Sequence, residues 1–268
     1  MITVERLETS RIGLNARVAG NGELVLLLHG ITAGAVVWDP VIADLAQDYR
    51  VVAIDQRGHG TSDHPDTGYT ADDYVADVAA VLDLLGPALA VVGHSLGGRN
   101  AILAAAAMPD RIRSAVSVDY AATIEESVFA ALRKSLAHSG NALPDAESVR
   151  RSVRARSTLL PDDAVERRAQ HLFDADTAGF RPLASPAAIA DTLAVIDIDL
   201  VPALRGGRVP VLLIRGEKSP FLSEGAFARS LWLRPDLFGA VVADADHFVP
   251  EERPAEVAAL VRQFIAGR

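Results

Sequence analysis

Apolar residues in this chain gather in short unbroken runs instead of alternating with polar ones. LVLLLHG (24–30), VVAID (51–55), ALAVVGHS (88–95), SAVSVD (114–119), VPVLLIRG (209–216) and GAVVAD (239–244) each end in glycine, aspartate or serine. Strands buried on both faces of a parallel sheet need such runs. Helical spacing of apolar residues fills the gaps, at about 38–47, 71–85, 96–107 and 251–265. Strands that alternate with helices predict a doubly wound, mostly parallel α/β sheet. Two earlier segments, 3–7 and 12–18, do alternate, and the turn pair Thr9-Ser10 lies between them, so they read as a hairpin.

The alternation stops between residues 120 and 204. That stretch holds no buried strand pattern and reads as several helices broken at Pro144, Pro161, Pro182 and Pro186. The division expected is a core made of residues 1–119 and 205–268, with a helical cap at 120–204 inserted after the strand that ends at Asp119. Such a cap would cover the carboxyl ends of the sheet, where open α/β sheets bind ligands.

Composition narrows the chemistry. The 268 residues are enough for one sizeable core. There is no cysteine, which excludes disulfides, thiolate metal sites and a cysteine nucleophile. A net charge of -9 argues against general nucleic-acid binding, which needs a basic face. No apolar stretch approaches the roughly 18 residues of a membrane span, and the opening MITVERLETS lacks a basic-then-apolar leader pattern. The expectation is a cytoplasmic enzyme for a small molecule, with no metal, cofactor, nucleic acid or membrane partner. A homodimer is compatible with all of this.

One run ends in chemistry. GHSLGG, Gly93 to Gly98, follows a buried strand and opens a helix. A G-x-S-x-G sequence in that setting is a nucleophile elbow, whose tight turn requires small residues two positions either side of the serine. Ser95 is the candidate nucleophile. The alternative is a glycine-rich turn with no chemistry. The N–H of Leu96, at the helix start, can receive a developing oxyanion. HGIT, His29 to Thr32, follows the first central strand and offers the N–H of Ile31 as a second donor; His29 itself reads as structural. DADHFVPEE supplies His247 after the last strand, the address of a general base.

HGIT, DQRGHGTSD (55–63), GHSLGG and ADHF together resemble the α/β-hydrolase superfamily over nearly the whole chain. In most of its members the triad acid follows the strand written here VPVLLIRG, at a place occupied by Ser219. Two acids remain open: Glu217, one residue past Gly216, and Asp119, at the end of the strand after the elbow helix, where some members carry theirs. Asp119 is favoured, because Ser219 leaves the usual place without an acid and a carboxylate ending the neighbouring strand can approach the histidine with the order Ser…Asp…His kept. Asp244 and Asp246 read as loop-structuring. The implied chemistry is hydrolysis through an acyl-enzyme, without a cofactor.

Further pieces, GHSLGGRN, RPLASPAA (181–188), DLVPA (199–203), RGEKS and LRPDL (233–237), are similar to the narrower family of E-2-(acetamidomethylene)succinate hydrolases. That resemblance implies an acid at Asp119, a dicarboxylate substrate with an acetamido group, and a substrate-holding arginine at Arg156. A second cap arginine of that family falls at Ser135 here, with Arg133 and Lys134 adjacent. Six arginines crowd residues 150–168: Arg150, Arg151, Arg154, Arg156, Arg167 and Arg168. A charge run usually marks solvated helix faces, while one or two turned inward would clamp a carboxylate. A general carboxylesterase or lactonase, and a ligand sensor on a hydrolase fold, are the competing readings.

Overall fold

The computed structural model of the chain describes residues 1–137, 139–177 and 179–266. Strands β1 (Thr3–Glu8), β2 (Gly13–Ala19) and β3 (Leu24–Leu28) come first. Helix α1 (Asp39–Leu45), β4 (Arg50–Ile54), α2 (Ala71–Leu85), β5 (Ala88–His94), α3 (Leu96–Ala107) and β6 (Ala115–Val118) follow. Next are α4 (Glu126–Leu136), α5 (Ala146–Arg154), α6 (Asp162–His171), β7 (Phe173–Asp176), β8 (Gly179–Pro182), α7 (Pro186–Ala194) and α8 (Val201–Gly206). The chain closes with β9 (Val211–Gly216), α9 (Glu224–Leu231), β10 (Leu237–Val242), α10 (Val249–Glu252) and α11 (Pro254–Ile265).

Eight strands form one sheet in the order β1-β2-β4-β3-β5-β6-β9-β10. From β4 to β10 neighbours run parallel, while β1 and β2 pair antiparallel at one edge. The apolar runs split by side-chain parity. Leu24, Leu26 and Leu28 join the layer under α2 and α3, and Val25 and Leu27 join the layer under α1 and α11. Each such side chain, taken fully out of water, stabilises the fold by roughly 1.5–3 kcal/mol. This two-sided burial is why β3 reads as an unbroken run.

Local signals account for most helix ends. Thr70 and Asp73 form a reciprocal capping box at the start of α2. Ser185 accepts from Ala188 N, with Pro186 in the first turn of α7, where its missing N–H does no harm. Several expected boundaries need correction. The helix placed at 38–47 is a 3-10 turn over Ala35–Trp38 followed by α1, because Pro40 suits a first turn. The helix placed at 251–265 is two, α10 and α11, broken at Arg253; Pro254 pushes that residue off helical geometry, to φ -138 and ψ 59. The strand at 114–119 ends at Val118, and Asp119 turns to φ +54. The strand at 239–244 is β10, which starts at Leu237 in register with Val211.

The inserted segment carries α4 to α7, together with β7 and β8, which pair antiparallel in a separate two-stranded sheet. Expectation held only helices there. The residues of β7 are mostly exposed, so they leave no buried-strand pattern to read. Helix α8 spans the expected boundary at 204/205 and packs on α3. The insertion leaves from β6 and returns to β9, two strands that are hydrogen-bonded neighbours.

Candidate active site

The residues singled out from the sequence meet at the carboxyl end of the sheet. Strand β5 lies between β3 and β6, so Gly93 is in register with Leu28 on one side and Ser117 on the other. The elbow follows at once. Ser95 sits at φ 52, ψ -117, a conformation that side chains rarely adopt and that surrounding structure must enforce. Its N–H donates to Val118 O at 2.9 Å. A Cβ on Gly93 would meet Gly97 O at 1.9 Å, and one on Gly97 would meet Leu28 O at 2.2 Å. Neither position admits a side chain without moving backbone.

Asp119 is fully buried at the mouth of β6. Its N–H donates to Ile214 O on β9 at 2.7 Å, which fixes it against the neighbouring strand. Its Oδ1 accepts from Gly216 N at 3.1 Å, and its Oδ2 accepts from His247 Nδ1 at 2.7 Å and from Ser219 Oγ at 2.6 Å. The Nδ1–H therefore faces the acid, and the second ring nitrogen, Nε2, is left as the basic atom. Glu217 is engaged elsewhere: its Oε2 accepts from Asp244 N at 3.0 Å. Asp244 pairs with Lys218, and Asp246 Oδ1 accepts from Phe248 N, so both order the loop. Phe221 lies against the His247 ring with centroids 4.6 Å apart. His94 Nε2 donates to His247 O at 2.6 Å, and burial, then the nearby His247, holds its pKa well below the usual value.

The HGIT loop closes the other side. Gly30 packs so near the elbow that a Cβ would lie 3.2 Å from Ser95 Cβ. His29 accepts from Gln56 N through Nε2 at 2.9 Å and contacts Gly30 O through Nδ1 at 2.7 Å. Burial pushes its pKa down to about 4, so it stays neutral and structural. Gln56 also donates to His29 O and accepts from Asn100 Nδ2 at 2.7 Å, which ties two loops to helix α3. Ile31 stands beside Gly30 on the cavity wall, and Leu96 is buried at the first turn of α3.

These residues border a cavity of about 610 Å³ roofed by the insertion. Its wall includes Val128, Leu132, Ser135 and Leu136 of α4, with Phe221 and Phe248. Two of the six arginines face it, Arg156 and Arg168. Arg168 is neutralised by a buried, two-pronged pair with Glu251, whose carboxylate oxygens both lie 2.9 Å from Nε. Arg156 donates to Thr32 Oγ1 at 2.6 Å and has no carboxylate partner among the described residues. Arg156 is exposed along part of its length and lines the cavity with the rest; crowding of its guanidinium by protein, followed by repulsion from Arg168, pushes its pKa down to about 10. Arg150, Arg154 and Arg167 pair with Glu166, Asp162 and Asp163 on helix surfaces, and Arg151 bonds Ser148. Ser135 is on the wall; Arg133 is held outward by Glu126 and Asp197, and Lys134 is not on the wall either. Among the described residues no cluster of three His, Asp or Glu side chains is placed to hold a metal ion.

A family model described as alpha/beta hydrolase fold matches residues 23–254. The chain belongs to the α/β-hydrolase family. It is 41% identical to 2-(acetamidomethylene)succinate hydrolase of Mesorhizobium japonicum over 261 residues, 97% of this chain and 94% of that one. The crystal structure of E-2-(acetamidomethylene)succinate hydrolase superposes with a TM-score of 0.96 at 40% identity, covering 99% of this chain and all (100%) of the other. The enol-lactonase from Burkholderia xenovorans LB400 shares the fold, with a TM-score of 0.78 at 22% identity over 98% of this chain and 100% of that one. This member of the family is therefore a hydrolase. Its described residues form no helix long and apolar enough to cross a membrane.

Sequence reasoning missed three participants. Ser219 marks only a missing acid in the sequence, yet its hydroxyl donates to Asp119. Nothing in the sequence sets Arg168 apart from Arg150, Arg151, Arg154 and Arg167, yet it is buried against Glu251. Ser157 lies 2.6 Å from Asp246 Oδ2 and 2.8 Å from Glu252 Oε1, pinning the cap to the loop that carries His247. No sequence signal distinguishes these, because each depends on a partner 83 to 100 residues away.

Burial, then the adjacent Asp246, raises the Glu252 pKa to about 8. A carboxyl whose folded pKa exceeds its unfolded value makes the fold lose stability as pH rises between the two. The melting temperature should therefore fall from pH 5 to pH 9 in the wild type, and Glu252→Gln should flatten that fall. Parallel thermal melts across this range would check it, and identical slopes would rule the effect out.

Proposed function

We propose that this hydrolase uses Ser95 as nucleophile, His247 as base and Asp119 as triad acid to cleave the amide of a small carboxylated substrate of the E-2-(acetamidomethylene)succinate type. The observation that carries the reading is the Asp119–His247 bond of 2.7 Å beside Ser95, in the same cavity as the carboxylate-free Arg156. Similarity to the Mesorhizobium relative supports the substrate type. A charged small molecule of this kind also suits a cytoplasmic setting, where it would be made and consumed.

The mechanism follows from the geometry. His247 Nε2 takes the Ser95 proton, and Ser95 Oγ attacks the acetyl carbonyl. The Ile31 and Leu96 N–H groups receive the oxyanion. His247 returns the proton to the departing nitrogen, leaving acetyl-Ser95, and then activates a water that releases acetate. The other product is an aminomethylene diacid. Water replaces its nitrogen, freeing ammonia, and the resulting β-aldehydo acid loses carbon dioxide to give succinic semialdehyde. Arg156 would hold one carboxylate, with Thr32 aligning its guanidinium.

The apolar wall of α4 favours a second reading, an esterase or lactonase for neutral substrates. Two measurements separate the two readings, and a third tests the triad acid that both share. Succinic semialdehyde should appear from E-2-(acetamidomethylene)succinate at an ordinary enzymatic rate and vanish in Ser95→Ala; no release would detach the chain from this substrate. Arg156→Gln should raise KM for the carboxylated substrate about 10- to 100-fold while leaving hydrolysis of a neutral aryl ester within about threefold. Equal losses on both would favour a structural role for Arg156. Asp119→Asn should lower kcat on the order of 10³- to 10⁴-fold, with Glu217→Gln nearly silent; the reverse outcome would move the acid to Glu217.

A further inference from the structure

Ser219 stands two side chains from the chemistry and has its hydrogen bonds fully committed. Its Oγ accepts from Phe221 N at 3.1 Å and from Leu222 N at 3.0 Å. A hydroxyl has two acceptor lone pairs and one proton. With both lone pairs used, the proton is directed at Asp119 Oδ2, 2.6 Å away. That is the oxygen that also receives His247 Nδ1. Asp119 Oδ1 is held separately by Gly216 N. Removing the serine hydroxyl would leave one donor on each carboxylate oxygen and remove the one that restrains Oδ2 from the side of the β9 turn.

The turn that carries Ser219 also carries Phe221, whose ring lies against His247. The two amides that anchor Ser219 Oγ belong to Phe221 and its neighbour. The one hydroxyl therefore couples the direction of the acid to the position of the ring that backs the imidazole. Ser219 is buried, at 8% exposure, so water would not readily replace it. A neutral donor suits this place. A second carboxylate beside fully buried Asp119 would set two like charges against each other, and one would take up a proton.

We propose that Ser219 is a positioning residue that aims the Asp119 carboxylate at His247, acting through its hydroxyl proton. This rests on the triad reading above. Ser219→Ala should slow phosphonylation of Ser95 by a fluorophosphonate probe about tenfold, the loss expected for one hydrogen bond between neutral and charged groups. Ser219→Thr should keep most of the wild-type rate. The probe needs only the triad, so failure of the proposed amide substrate would not obscure the result.

A second readout separates aiming from general packing. In proton NMR the His247 Nδ1–H resonance should lie far downfield in the wild type, move upfield in Ser219→Ala and stay in place in Ser219→Thr. If Ser219→Ala does not fold, Ser219→Cys replaces it, and its weak S–H donor should give a loss of the same direction. Wild-type labelling rates together with an unmoved resonance in either hydroxyl-free variant would overturn the proposal. Unlabelled wild type would instead overturn the serine-nucleophile reading, and the resonance would still decide the role of Ser219.

Discussion

A fully buried carboxylate organises this molecule's functional end. Taking a charge out of water is expensive unless donors surround it. Asp119 finds them in Gly216 N, Ser219 Oγ and His247 Nδ1, all contributed by segments that lie about 100 residues or more further along the chain. Each donor is in reach because β6 and β9 are hydrogen-bonded neighbours whose carboxyl ends coincide, with Val118 opposite Ile214. The same adjacency explains why an acid can serve this histidine from either strand. Here β6 supplies the charge and β9 supplies the neutral donors that hold it.

The elbow depends on that arrangement from the other side. Ser95 N donates to Val118 O, one residue before Asp119, so the strained turn and the buried acid share a backbone support. Gly93 and Gly97 let backbone segments approach to distances that a Cβ would forbid, and at Gly30 a Cβ would fit only tightly against His94 and Ser95. The strain at Ser95 persists because the parallel ladders on both sides of β5 over-determine it.

The cap is more than a lid of helices. Several polar links tie it to the core, and three of them end beside the catalytic loops. Arg168 pairs with Glu251, and Ser157 meets Asp246 and Glu252, both links ending on or beside α10, which follows His247 directly. Arg156 bridges to Thr32, next to the Ile31 amide. Cap position, imidazole position and the oxyanion loop are thus joined by hydrogen bonds, and a ligand carboxylate at Arg156 would bear on all three.

Particular residues show what was legible from the sequence. The alternation of runs such as LVLLLHG with helical spacing determined the doubly wound sheet, because burial on two faces removes polar positions from a strand. The spacing of Gly93, Ser95 and Gly97 determined the elbow, since the crowding of Gly93 by Gly97 is local, although Gly97 is also crowded by Leu28 of β3. His247 was readable from its place after the last apolar run. The short strands β7 and β8 were not, because neither holds a fully buried residue and so neither leaves an apolar run. The sequence favoured Asp119 over Glu217 without placing either beside the histidine, and the bond that makes Ser219 useful was not legible at all. One residue of shift along a turn redirects a side chain, and only the packed neighbours β6 and β9 set which carboxylate meets the histidine. Among six arginines of one segment, resemblance pointed to Arg156, but tertiary structure decided that Arg168 faces the cavity too and is already claimed, because a cation's role there depends on whether a distant carboxylate, such as Glu251, pairs with it.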